Sequence, residues 1–177
     1  SDLALLPGTV PGRFWSNYQI GLNSNNNLNY AGDRQGGGVG IHGNIEWSNF
    51  WSTFANVNLW VRKQNMRLTR GGPTMQQTQA LEWRANIQSP DSGTTRIELR
   101  IDHRSDEDGG FQLELRPQFR MQPGSQWQLS IEPTFARNVD TQQYFDTVEG
   151  GGPAATFGNR YVFGRLDQLT YSTAIRL

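Results

Sequence analysis

His103 is the residue whose surroundings most invite chemistry: Asp102 precedes it, and Ser105 and Asp106 follow within three positions. Histidine, hydroxyl and carboxylate are the parts of a hydrolytic relay, which works only when the three converge in space. The second histidine, His42, is remote in sequence, and two histidines without further ligands make a poor metal site. Asp106-Glu107-Asp108-Gly109-Gly110 gathers oxygen ligands that calcium would accept, but without the spacing of a calcium-binding loop. It reads better as an acidic, solvated turn. Gly36-Gly37-Gly38 and Gly150-Gly151-Gly152 are flexible loop material, since neither joins a strand to a helix as a phosphate-binding loop must. The residue types therefore predict no catalytic, metal-binding or cofactor-binding site and no enzyme. A membrane-embedded hydrolase built on His103 stands as a competing reading.

The elements that would position these residues are strands. Leu81, Trp83, Ala85 and Ile87 alternate with Glu82, Arg84, Asn86 and Gln88. Ile97, Leu99 and Ile101 alternate with charged residues from Arg96 to Asp102, and the segments Phe111–Met121 and Trp127–Phe135 repeat the pattern. Period two is the signature of a strand with two different faces. Noisier strands are predicted around Phe14–Leu22, Val39–Trp47, Trp51–Val61 and Leu169–Leu177, with Phe54 and Trp60 on the polar phase of theirs. About eight strands result, most of roughly 9–13 residues. That is the length needed to cross a bilayer obliquely and longer than the usual soluble strand.

Connections sharpen this reading. Long segments (23–38, 64–77, 138–160) and a medium one (104–110) alternate with short ones at 48–50, 89–93 and 122–125. Long outer loops opposite tight periplasmic turns are the pattern of an outer-membrane barrel. Pro90-Asp91-Ser92-Gly93 and Pro123-Gly124 supply turn chemistry at two short ends. Trp47, Phe50, Trp51 and Trp127 fall at such ends, where a headgroup girdle of aromatics belongs. The expected fold is thus all-β, an antiparallel up-and-down transmembrane β-barrel occupying residues 1–177 as one domain or barrel fragment. Outer-membrane lipid or detergent would be its partner. A soluble carbohydrate-binding sandwich, which also produces period-two strands, is the alternative.

Composition permits this. Of the 177 residues 35% are hydrophobic and mean hydropathy is -0.66; no run approaches the roughly 20 apolar residues of a membrane helix, which is excluded, whereas barrel strands are not. Formal net charge is +0, from 16 basic and 16 acidic residues, so no global field recruits nucleic acid. Lys63 is the single lysine, and arginine suits fixed pairing with carboxylates. Cysteine is absent, and no signal peptide is legible in Ser1–Leu6.

With the shortest sensible hairpins, Gln88 faces Thr94, Asp102 faces Gln112 and Gln122 faces Gln126. Glu82 then lies beside Arg100 and Arg100 beside Glu114. A second row reads Arg84, Glu98, Arg116 and Glu132. Opposite charges across strands attract, so this ladder predicts a charge-balanced wall lining a lumen.

Arg67-Leu68-Thr69-Arg70-Gly71-Gly72-Pro73 and Asn159-Arg160-Tyr161-Val162-Phe163-Gly164-Arg165-Leu166-Asp167-Gln168 resemble segments of domain of unknown function 5916. The resemblance implies the C-terminal outer-membrane barrel of proteins that carry an N-terminal module similar to family-9 carbohydrate-binding domains. It further implies a larger parent barrel and a Gram-negative, porin-like transport or anchoring scaffold linked to glycan uptake. It supplies no catalytic residues. These 177 residues depart from that pattern in showing no stretch that reads as such a module and in ending on Leu177 where outer-membrane barrels commonly close on an aromatic.

Overall fold

Alternating apolar and polar residues bury only one face of a strand, and the chain answers with one long antiparallel meander. The computed structural model describes residues 2–8, 14–30, 32, 34–65, 67–91 and 93–177, without side chains in 2–8 and at 34–35. Its strands are β1 (Asp2–Gly8), β2 (Trp15–Leu28), β3 (Arg34–Trp47), β4 (Ser52–Trp60), β5 (Lys63–Asn65), β6 (Met75–Gln77), β7 (Ala80–Gln88), β8 (Thr95–Asp106), β9 (Phe111–Gly124), β10 (Trp127–Val148) and β11 (Arg160–Arg176). Nine form a single sheet in the order β1-β2-β3-β4-β7-β8-β9-β10-β11, and β5 and β6 make a separate small hairpin.

The strands predicted from alternation are all present as β2–β4 and β7–β11. The ninth, β1, pairs Leu3 with Leu22 and Leu5 with Ile20. Its run Leu3-Ala4-Leu5-Leu6-Pro7 hardly alternates, which hid it from pattern reading. Closure is not found: among the described residues no ladder joins β1 to β11, so the sheet is open.

Two of the expected long loops are mostly strand. Residues 23–28 and 34–38 form a regular ladder from Asn23↔Gly40 to Leu28↔Arg34, leaving only 29–33 as the connection. Asparagine and glycine disfavour strands intrinsically, but pairing on both sides of β3 overrides that preference. Likewise β10 runs to Val148, so the last connection is 149–159. The alternation is therefore one of reach as much as of loop length, since the β2–β3 and β10–β11 hairpins project at the end opposite the short turns.

Register aligns the apolar residues in rows across the sheet. One row reads Leu22, Ile41, Val57, Trp83, His103, Leu113, Arg137, Leu169, and the next Ile20, Gly43, Ala55, Ala85, Ile101, Leu115, Phe135, Tyr171. No second layer covers this face among the described residues. Among the described residues only Ala80 and Val139 are buried apolar residues, while Ile20, Val39, Leu59, Leu81, Ile97, Tyr171 and Ile175 are exposed. The accessible surface is 12122 Å² for 20.0 kDa, against about 8,700 Å² from the scaling for compact monomers.

On the opposite face glycine makes room for amides. Asn23 donates to Asn58 Oδ1 at 3.4 Å across Gly40, where any side chain would overlap both amides and the Val57 carbonyl. Gly21 gives the same clearance to the His42 ring. We predict that Gly40→Val lowers unfolding stability by about 1–3 kcal/mol, as overpacking does. Gly124→Val, at an open position, should leave it unchanged. Urea unfolding followed by tryptophan fluorescence would show the contrast.

Candidate functional site

The candidate site is the polar face, where arginines and carboxylates from β7 to β11 meet. All seven residues of the expected ladder, Glu82, Arg84, Glu98, Arg100, Glu114, Arg116 and Glu132, share that face, but their partners differ from those the shortest hairpins imply. Glu82 lies opposite Arg104 rather than Arg100, and Arg84 opposite Asp102 rather than Glu98. Arg100 faces Arg116, and Glu114 faces Asp102. Glu132 faces Ala174 on one side, and on the other its carboxylate takes Gln118 Nε2 at 2.8 Å and Ser130 Oγ at 2.9 Å.

Turn chemistry explains each shift. Pro90 has no N–H to continue the ladder. Pairing of β7 and β8 accordingly stops near Ser89, whose N–H bonds Ile97 O at 2.9 Å, and Arg96 seals the wider loop against Asp91 and Gln88. At the β8–β9 turn the Asp106 carboxylate accepts the Asp108 and Gly110 N–H groups at 3.0 and 2.7 Å, with Gly109 at φ 80. This tight turn starts the ladder at Ser105↔Phe111. Between β9 and β10, Gly124 pairs Trp127, and a bulge before Leu129 resets the count.

Charge compensation consequently runs across two rungs between β7 and β8 and along the strands elsewhere. Arg84 Nε bonds Asp102, Arg116 Nε bonds Glu114 at 2.6 Å, and Arg104 Nη1 reaches Glu82 at 3.5 Å. Glu98 lies 3.6 Å from both Arg96 and Arg100, bridging them. Trp60, on the polar phase, donates its indole N–H to Glu82 at 3.0 Å, which explains why an aromatic ring is tolerated there.

His103 does not join a relay. Its ring faces the apolar side, stacked on Trp83 at 5.3 Å and edge-on to Phe111 at 5.2 Å. Alternation sends the side chains of its neighbours Asp102 and Arg104 to the other face. His42 lies on the polar face beside Asn56. The acidic turn is occupied by its own contacts: Asp106 holds the backbone, Glu107 pairs Arg62 at 2.9 Å, and Asp108 takes Gln142 at 2.7 Å. Among the described residues no group of three or more potential ligands gathers for a metal. Ser92 of the predicted Pro90–Gly93 turn lies outside the described residues.

Trp47, Phe50, Trp51 and Trp127 all stand at the short-turn end, with Phe14 and Trp15 beside them. Phe50 and Trp127 are 78% and 70% exposed, so packing within the sheet does not account for them.

Two arrangements escaped sequence reading. Arg137 makes a two-point pair with Asp167, at 3.2 and 2.8 Å, on the apolar phase between Leu113 and Leu169. A charge in the apolar phase of β10 was the available signal, but its partner is visible only once β11 is paired. The segments 67–73 and 159–168 also come together. Arg70 lies 5.0 Å from the Tyr144 ring on the β10–β11 hairpin, and Gly72 sits against the Tyr161 hydroxyl. Thr69, fully buried, anchors the first segment by donating to Pro73 O at 2.8 Å.

No protein-family model matches the chain, and neither a curated protein nor a solved structure shows significant similarity to it.

The register yields a direct test. A double-mutant cycle on Arg84 and Asp102 should give a coupling of about 0.2–1 kcal/mol, the range for partly exposed pairs. The cycle on Arg84 and Glu98 should give none. A reversed ranking would restore the shorter hairpin.

Proposed function

We propose that the chain is a wall of a bacterial outer-membrane β-barrel, a porin-like transport or anchoring scaffold with lipid on its apolar face. The observation that carries this reading is the uncovered apolar face of the nine-stranded sheet, with Leu99, Leu113 and Ile131 among its residues. In water such a surface costs about 25 cal/mol per Å², whereas lipid tails meet it without that cost. On β8 the apolar phase runs from Ile97 to Ser105, about nine residues, close to what an oblique crossing requires. The aromatics at the short-turn end fit a headgroup girdle.

The open sheet fits an arc of a larger barrel. In this antiparallel meander β1 and β11 run in the same direction, so joining them directly would need a parallel pair. Further strands would keep the pairing antiparallel. The resemblance to domain of unknown function 5916, resting on residues 67–73 and 159–168, points to the same larger barrel. It is also the sole ground for linking the scaffold to glycan.

A soluble carbohydrate-binding sandwich would need a second sheet over the apolar residues. Among the described residues the other sheet is only β5 and β6, of three residues each. The hydrolase reading finds His103 between two aromatic rings on the apolar face.

The chain should aggregate in plain buffer, fold in detergent and show a heat-modifiable gel shift. A monodisperse, detergent-free monomer would overturn the proposal. Leu113→Arg should cost about 2–4 kcal/mol of folding stability in bilayers, the price of a cation at mid-depth on a lipid-facing strand. Gln112→Arg, on the polar face, should cost little.

A further inference from the structure

Four adjacent strands carry Arg96, Arg120, Ser130 and Arg176 in one row on the polar face, each directly opposite the next. Like charges set directly across strands repel. Here the repulsion is repeated toward the middle of the sheet, where Arg100 faces Arg116. Carboxylates relieve the outer row only in part, since Glu132 attracts Arg120 and Arg176 from beyond ion-pair distance. Asp91 and Glu98 pair with the terminal nitrogens of Arg96, and Glu114 is taken by Arg116. Glu132 accepts from Ser130 and Gln118, and neither Arg120 nor Arg176 forms an ion pair among the described residues. The Nε–H groups of Arg96 and Arg120, on facing residues, are both buried and both lack an acceptor. A buried donor without a partner is costly, and an anionic acceptor reaching these arginines would offset that cost.

We infer that this row is a seat for the phosphate group of a small solute. A phosphate offers several charged oxygens to converging guanidinium groups, which a single carboxylate cannot do as well. Ser130, whose hydroxyl is bound to Glu132, stands between Arg120 and Arg176 in the row. A groove of about 450 Å³ along Glu98, Arg100, Arg116, Gln118 and Glu132 lies one step along the strands, lined by the row's neighbours and not by its own residues. Its size suits a substituent on the phosphate, so the ligand class is a phosphate monoester. The inference rests on the polar face and holds whatever covers the apolar face.

Calorimetric titration of the full chain with inorganic phosphate would test it, in detergent and, if the chain is soluble, in plain buffer. Acetate at matched ionic strength is the comparison. Saturable phosphate binding is expected, weakened about tenfold or more in Arg120→Gln and in Arg176→Gln, as loss of a charged hydrogen bond implies. Arg137→Gln, on the opposite face, should bind as the parent does. If Arg120→Gln fails to fold, Arg176→Gln on the edge strand decides. Absence of saturation, equal binding of acetate, or parental affinity in both variants would overturn the inference, leaving water as the occupant of the row.

Discussion

Backbone hydrogen bonding is satisfied in this chain by long ladders, and every other feature follows from the two faces those ladders create. Successive side chains must point to opposite sides of a strand, so a meander of long strands has two surfaces and no interior of its own. Here one surface is apolar and uncovered, and the other holds the arginines, carboxylates and amides. The hydrophobic effect thus acts on this sheet from outside, through whatever medium meets Leu22, Ile41, Val57 and Leu113.

The polar face pairs opposite charges in rungs between β7 and β8 and compensates like-charge rungs elsewhere along the strands. The register sets Asp102 against Glu114 and Arg100 against Arg116, both repulsive if left alone. Arg84, Glu98 and the in-strand bond from Arg116 to Glu114 offset them. Along the row from Arg96 to Arg176 the compensation is weakest, since only Arg96 has a carboxylate within ion-pair distance among the described residues. Unequal neutralisation along one face is how a charge-balanced chain, with formal net charge +0, still presents a localised cationic surface.

At the other end of the sheet, segment 67–73 leaves the β4–β7 connection and reaches the projecting β10–β11 hairpin. Arg70 against Tyr144 and Gly72 against Tyr161 bring the β5–β6 turn against strands that do not neighbour β4 or β7 in the sheet. Arg62 with Glu107, and Gln142 with Asp108, add contacts around the β8–β9 turn between them. The loops on this side therefore pack on one another rather than stand apart.

Face membership was legible in the sequence because it depends only on counting by two. Glu82, Arg84, Glu98, Arg100, Glu114, Arg116 and Glu132 share a face in any register that slips by an even number of residues. The same argument identified Trp60 and Phe54 as residues of the polar phase. Partners were not legible, because an even slip changes every cross-strand neighbour while leaving the faces intact. That choice belonged to Pro90, to the Asp106 carboxylate holding its turn, and to the bulge between Trp127 and Leu129. Tertiary pairing also drew the Asn- and Gly-rich segments around Asn25 and Gly37 into strands against their own preference. It set Asp167 beside Arg137, and Arg120 between Arg96 and Ser130, because such neighbours exist only once distant strands share a ladder.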